Sequence, residues 1–424
     1  MAGGMLLMLV VLFALSVPVA IAITAASIGG IVLFDDVPLI VVAQKLITSI
    51  DSFPLLAVPF FILAGNLMEA GGISTRLVDF AKSVIGNIQG GLACSCVLTC
   101  MIFAAVSGSS VATTFAIGAI IIPAMAAHGY PKPFAAALQA TSAELGVVVP
   151  PSIPLILYGV SANTSIGDLF IAGIGPGLLI AGALTVGVYA MCKLNGWGKS
   201  DGEGRLSFIK AFERAFLALL MPVVVIGGIY SGVFTPTEAS VVAVFYAFLV
   251  GTVFYRSLSI ANLPSVLRRS VISSSVIMFT IAAAGLFSFL LTRAGVPGMI
   301  GEWVATAIDS PWAFLLCVNI ALFIVGMFIE TSAAIVVLAP ILAPVAMRFG
   351  VDPVHFGLIM VVNLAMGMIT PPFGVNLFAA CQVAGIGLER IIPRLLPFIL
   401  IVVACLMVVT YVPAVTVGFV GLLK

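Results

Sequence analysis

Apolar residues along this chain run in long unbroken blocks, and polar residues are confined to short interruptions. A helical membrane span needs about 20 consecutive apolar residues. Blocks of that kind predict crossings near 5–33, 45–70, 131–160, 169–192, 215–234, 237–255, 266–292, 353–382 and 393–421. No stretch alternates with a period of two, which excludes an outer-membrane barrel. Two further blocks, 90–127 and 311–347, are too long for one span and are interrupted near the middle. The interruptions read Ser107-Gly108-Ser109-Ser110 and Glu330-Thr331-Ser332. Each arm holds only about 17 residues, short for a full crossing. Both blocks are therefore expected to be re-entrant hairpins with a polar tip at depth. The segments 74–88 and 297–308 either cross or lie in the interface.

The two halves of the chain match. At a constant offset of 221, Pro123 meets Pro344, Gly129 meets Gly350, Gly146 meets Gly367, and Pro150-Pro151 meet Pro371-Pro372. Asp168 then meets Glu389 and Pro176 meets Pro397, with no gap from 123 to 176. Chance placement of the prolines in the two windows gives about 0.8 coincidences, and there are four. The expected organisation is two repeats, 1–212 and 213–424. In the first, scaffold spans occupy 1–88 and the hairpin and core 90–192. In the second, the scaffold occupies 215–308 and the hairpin and core 311–421.

Composition narrows the class. The chain has 424 residues, 62% hydrophobic and 8% charged, with a mean hydropathy of +1.31. Soluble domains carry roughly 25% charge, so a soluble enzyme, a disordered chain and a nucleic-acid partner are all excluded. Seven cysteines scattered through apolar runs and only two histidines, His128 and His355, give no metal pattern and no disulfide framework. The first run lacks the basic start of a cleavable signal peptide. Of 17 basic residues, eight fall in Lys193–Arg214 and Arg256–Arg269. The positive-inside rule places both loops in the cytoplasm. The two hairpins then open to opposite sides, so the repeat is inverted. The fold class is all-α: a polytopic membrane protein with two inverted repeats, each with a re-entrant helical hairpin and a proline-broken helix. Inverted repeats with broken helices are a design of secondary transporters, whose sites lie at the breaks.

Four elements carry candidate chemistry: the Ser107–Ser110 tip, Glu144 to Ser152 (E-L-G-V-V-V-P-P-S), Gly326 to Ser332 (G-M-F-I-E-T-S), and Gly367 to Asn376 (G-M-I-T-P-P-F-G-V-N). Adjacent prolines (Pro150 and Pro151, Pro371 and Pro372) remove amide donors and free carbonyls upstream. Serine hydroxyls and freed carbonyls are hard oxygen ligands suited to Na⁺. Small residues at a tip also serve close helix packing. Glu144 and Glu330 are intramembrane acids, which mark function by default; Glu144 is expected first to hold the break open through hydrogen bonds and Glu330 to cap the helix after it, with a cation-related role for Glu330 the alternative. Lys45 and Arg293, near span ends, are expected to snorkel, with contact to an anionic substrate the alternative.

These motifs resemble a known family. S-G-S-S-V-A, I-I-I-P, G-Y-P and L-G-V-V-V-P-P-S in the first half, and G-V-F-T-P-T-E-A at 232–239, are similar to the large membrane subunit of tripartite ATP-independent periplasmic (TRAP) transporters. The second half adds P-I-L-A-P-V, G-V-D-P-V-H-F-G and M-I-T-P-P-F-G-V-N-L-F, so the resemblance runs from about Asp51 to Pro397. It departs at Glu330, where the family pattern has aspartate.

The resemblance implies import of an organic acid, of the C4-dicarboxylate or sialic-acid type, across the bacterial inner membrane, driven by Na⁺ in an elevator motion. The implied partners are a small four-helix membrane subunit, here a separate chain, and a periplasmic substrate-binding protein. No organic cofactor is implied. Ser107, Ser110, Gly326 and Ile329 are implied for one sodium site, and Gly367 and Thr370 for a second, with Gly146 the repeat-mate of Gly367. Ser109, Ser152 and Asn376 are implied near the substrate. The alternatives are a stand-alone anion/Na⁺ symporter of the citrate or dicarboxylate type and, more remotely, an intramembrane enzyme or channel.

Overall fold

The computed structural model describes residues 2–34, 37–86, 88–198, 206–308 and 310–423. Lys199 and Arg205, two of the basic residues used to orient the chain, lie outside them. The described residues form helices and connections, with no strand among them. Nine helices there are long and apolar enough to span a membrane, and a bent pair makes ten.

The expected first crossing, 5–33, is instead two short helices, α1 (Ala2–Ala14) and α2 (Val19–Phe34). Ser16 takes a positive φ of 59° between them, and Pro18 has no N–H to continue a helix. The helices pair antiparallel, with Gly4 against Phe34 and Gly29 against Met8. Next come α3 (Ile40–Thr48) and α4 (Ala57–Ala70), the latter entered through a 3₁₀ turn. Then α5 (Ile73–Ile85) has 13 residues, about 20 Å of helix, and cannot cross alone.

The first tip separates α6 (Gly91–Ser107) from α7 (Ser110–Ala127). The first broken helix consists of α8 (Lys132–Ala143), α9 (Leu145–Val148) and α10 (Ile153–Ser161), bent by 43° at the proline pair. After it comes α11 (Ile166–Asn195). The second half begins with α12 (Phe208–Tyr230), so the 212/213 boundary expected from sequence falls inside a helix. The next two are α13 (Pro236–Leu249), opened by the Thr235/Glu238 capping box, and α14 (Leu263–Arg293). After these, α15 (Val296–Ala307) has 12 residues and is also too short to cross.

The second tip separates α16 (Pro311–Phe328) from α17 (Thr331–Arg348), and the second break separates α18 (Pro353–Met368) from α19 (Val375–Ala384). The chain closes with α20 (Leu388–Tyr411) and α21 (Val417–Leu423). Pro413 stops α20 short of the expected span end at 421.

The offset of 221 read from sequence recurs in the helix bounds. It carries both ends of α7 onto those of α17, and the start of α8 onto that of α18. The prolyl bonds Pro150-Pro151 and Pro371-Pro372, both cis, match at the same offset. Packing then crosses between the halves: α7 lies against α19, α10 against α17, and α8 against α20. Around this buried centre, α4 packs on α13 and α14.

Candidate functional site

The first tip is built by three residues with different duties. Gly108 adopts φ +61°, a left-handed conformation that ends α6 at little cost for glycine. Ser109 is extended and caps α7, its Oγ accepting from Ala112 N–H at 3.4 Å. Ser107 Oγ lies 3.0 Å from Thr113 Oγ1, and both hydroxyls donate to the Ser109 carbonyl, at 3.3 and 2.8 Å. Three oxygens thus gather inside the tip.

The first break lies against it. Pro150 and Pro151 carry no N–H for the carbonyls of Gly146 and Val147. Ser152 Oγ donates to the Val147 carbonyl across the gap and caps α10 through Leu155 N–H. Ile153 N–H donates to the Gly108 carbonyl at 3.4 Å, joining break to tip. A Cβ on Gly146 would stand 2.7 Å from the Ser109 carbonyl oxygen. Only glycine allows that approach.

The second tip and break repeat this arrangement with other residues. Ile329 and Glu330 are extended, and the Glu330 carboxylate caps α17, accepting from Ser332 N–H at 2.9 Å and Ala333 N–H at 3.2 Å. Ser332 Oγ also donates to it, at 2.9 Å. Gly326 and Gly367 sit back to back, and a Cβ on Gly367 would run into the Gly326 backbone. Gly374 N–H donates to the Met327 carbonyl at 3.4 Å. Thr370 N–H takes the Gly367 carbonyl at 2.9 Å, and its hydroxyl takes that of Met366.

Two contacts tie the halves together at the tips. Ser110 and Thr331, equivalent at the 221 offset, both direct hydroxyls at Met368 Sδ, at 4.0 and 2.9 Å. Glu144 and Asn376 are buried, and the Asn376 amide donates to one Glu144 oxygen. The second Glu144 oxygen and the Asn376 carbonyl oxygen have no protein partner, a cost of about 1–3 kcal/mol each.

A cavity of about 900 Å³ reaches both tips. The helix caps Ser109 and Glu330, with Ser332, line it from the hairpins, and Asn66, Glu69 and Arg269 line it from α4 and α14. Backbone N–H groups at a helix N-terminus attract anions. At α17 the chain's own Glu330 carboxylate already occupies those donors, whereas α7 carries the neutral cap Ser109.

Of the three residues expected near substrate, Ser109 lines this cavity, while Ser152 and Asn376 are fully buried in packing. Of the residues expected in one sodium site, Ser107 bonds within the first tip and Gly326 packs on the second break. Lys45 Nζ lies 4.3 Å from the centre of the Phe289 ring. Sequence reading missed Thr113, whose signal was its place four residues after Ser109, and Met368. It also missed Asn66 and Glu69, whose partner helix lies some 200 residues away in sequence.

Residues 6–415 match the family described as tripartite ATP-independent periplasmic transporter, DctM component. An isethionate TRAP transporter permease protein, DctMQ, from Oleidesulfovibrio alaskensis is 45% identical over 96% of the chain, which spans 64% of that longer protein. A C4-dicarboxylate TRAP transporter large permease protein from Rhodobacter capsulatus is 40% identical, covering 98% of each chain. The sialic acid large permease SiaM of Vibrio cholerae is 38% identical over 98% of this chain and 97% of its own. Among solved structures, the Alcanivorax borkumensis YdaH transporter superposes with a TM-score of 0.63 at 16% identity, covering 88% of both chains, a likeness of fold.

Proposed function

The chain belongs to the DctM component family of tripartite ATP-independent periplasmic transporters, and from that premise we propose that it is the large permease of a Na⁺-coupled organic-acid importer in the bacterial inner membrane. The observation that carries the proposal is the convergence of two hairpin tips, each locked to a proline break of its own repeat, on one cavity. Free carbonyls and hydroxyls at a break suit a cation, and a helix N-terminus beside them suits an anion.

We assign one Na⁺ to each tip–break pair. Ser107, Ser110 and Gly146, with the Ser109 carbonyl, form the first set; Gly326, Ile329, Gly367 and Thr370 form the second. This division by repeat follows the close approach of Gly146 to Ser109 and of Gly367 to Gly326. Na⁺ holds tip against break and completes the anion site at the Ser109 end of α7. Two Na⁺ offset the substrate's charge, which lowers the cost of carrying it through a low-dielectric layer. The repeats are inverted, and the hairpin core, 90–192 with 311–421, moves as an elevator against a scaffold containing α4 and α14. Substrate is delivered by a periplasmic binding protein, and a small membrane subunit braces the scaffold. The substrates named for the relatives support a cargo among organic anions with a carboxylate or sulfonate.

The test is uptake into liposomes holding this chain and its small subunit, with the binding protein outside, against isethionate, succinate and N-acetylneuraminate. Uptake of one of them that needs an inward Na⁺ gradient and the binding protein is expected. Counterflow that requires neither would overturn the proposal.

A further inference from the structure

We propose that Arg269 on α14 is a specificity-determining residue for this cargo, receiving the anion as it leaves the hairpin tips, and that Glu69 on α4 holds the guanidinium in the empty cavity. The inference rests on the transport reading above.

Arg269 is the one cationic side chain among the described residues lining the 900 Å³ cavity. The cavity also holds two carboxylates, Glu330 at the α17 cap and Glu69. An organic anion entering this space meets like charge on two sides, and beyond the α7 N-terminus only Arg269 opposes it. Charge balance therefore selects this residue.

Its position fits an exit. A second cavity of about 290 Å³ is lined by Asn262, Ser265 and, again, Asn66, Glu69 and Arg269. These three shared residues mark the passage between a chamber at the tips and a small polar vestibule beside the first turns of α14. That end of α14 carries Arg268 and Arg269 in its first turns, with Arg256 ahead of it, and the positive-inside rule places this basic stretch in the cytoplasm.

The passage is held firmly by its frame and loosely by its charges. Asn66 Nδ2 donates to Ser270 Oγ at 2.8 Å, and Ser270 donates to the Val266 carbonyl, pinning α4 to α14 next to Arg269. The Arg269–Glu69 pair is 4.0 Å apart, with side chains 70% and 34% exposed. Ion pairs so exposed contribute little, so a carboxylate or sulfonate displaces Glu69 easily. Because α14 lies outside the hairpins, the contact with Arg269 exists only when the core brings the tips to this cavity. It therefore favours the cargo in this one state, which is what directional release needs.

The experiment uses the same liposomes with the binding protein outside, so that only molecules facing outward are read, and varies the luminal concentration of whichever of the three probe anions the unaltered protein takes up. Arg269→Gln is expected to raise the luminal half-saturation for exchange about fivefold, with external Na⁺ dependence unchanged. Arg269→Lys restores most of it, and Glu69→Gln lowers it. Unchanged luminal half-saturation in Arg269→Gln, or a lysine variant as impaired as the glutamine one, overturns the inference. If Arg269→Gln fails to assemble, Glu69→Gln decides, and no decrease there overturns it. If the unaltered protein shows no Na⁺-driven uptake of any probe, the transport reading itself falls and takes this inference with it.

Discussion

At the scale of single residues, the site depends on two kinds of atom: hydroxyl oxygens that face inward at the tips, and glycine α-carbons that let backbones touch. Ser110 belongs to the first kind. It is buried, and its hydroxyl points at Met368 of the other half. Ser110→Ala should keep the fold and raise the Na⁺ concentration for half-maximal uptake severalfold, read from uptake at varied external Na⁺. Full uptake at low Na⁺ would remove Ser110 from the cation set. Gly367 belongs to the second kind. A methyl group there meets the Gly326 backbone, which cannot rotate away as a side chain can. Gly367→Ala should therefore cost about 1–3 kcal/mol by overpacking, measured as a lower unfolding temperature in detergent, and should abolish uptake by prising the second tip off its break. Glu330 unites a structural and an electrostatic duty, because its carboxylate satisfies two orphan donors while adding negative charge to the cavity. Removing its cap by Glu330→Ala should cost about 0.5–2 kcal/mol of stability, with Glu330→Asp retaining most of it in the same thermal assay.

At the scale of elements, the breaks are stabilised by bonds that reach over the missing donors. Ser152 is the clearest case, donating to Val147 and capping α10. Ser152→Ala leaves the buried Val147 carbonyl without that donor, at about 1–3 kcal/mol. The unfolding temperature should fall, and Ser152→Thr should recover it only where the extra methyl fits. Much of this scale was legible in the sequence. The tips at Ser107–Ser110 and Glu330 and the proline pairs are local signals, written in residues that break a helix, and their recurrence at an offset of 221 shows the repeat. What stayed hidden was of two kinds. The turn between α1 and α2 is flanked by apolar residues on both sides, so hydropathy runs through it, and only Ser16 and Pro18 mark the fold-back. The charged passage at Asn66, Glu69 and Arg269 joins segments far apart in the chain, and no local pattern in α4 or α14 announces that they meet. Burial of Ser152 and Asn376 was likewise invisible, because a polar residue beside a break looks the same whether it faces a cavity or a neighbouring helix.

At the scale of the whole molecule, each half keeps its tip and break together but packs the helices that follow them against the other half. Helix α7 rests on α19, and α10 rests on α17. This interlock bears on how the protein is made. A ribosome that has delivered residues 1–198 has placed α7 and α10 in the bilayer without the surfaces that cover them, and those surfaces arrive only with residues 331–384. The first half is then expected to wait in the membrane as an open clasp. Two separate polypeptides, 1–197 and 206–424, should accordingly restore uptake when made together in one cell. The first piece made alone should be degraded rapidly, as followed by its half-life after synthesis is stopped. A stable, long-lived first half would mean that α7 and α10 find adequate cover within it. The contacts of α7 with α19 and of α10 with α17 thus cannot form until most of the chain has been made.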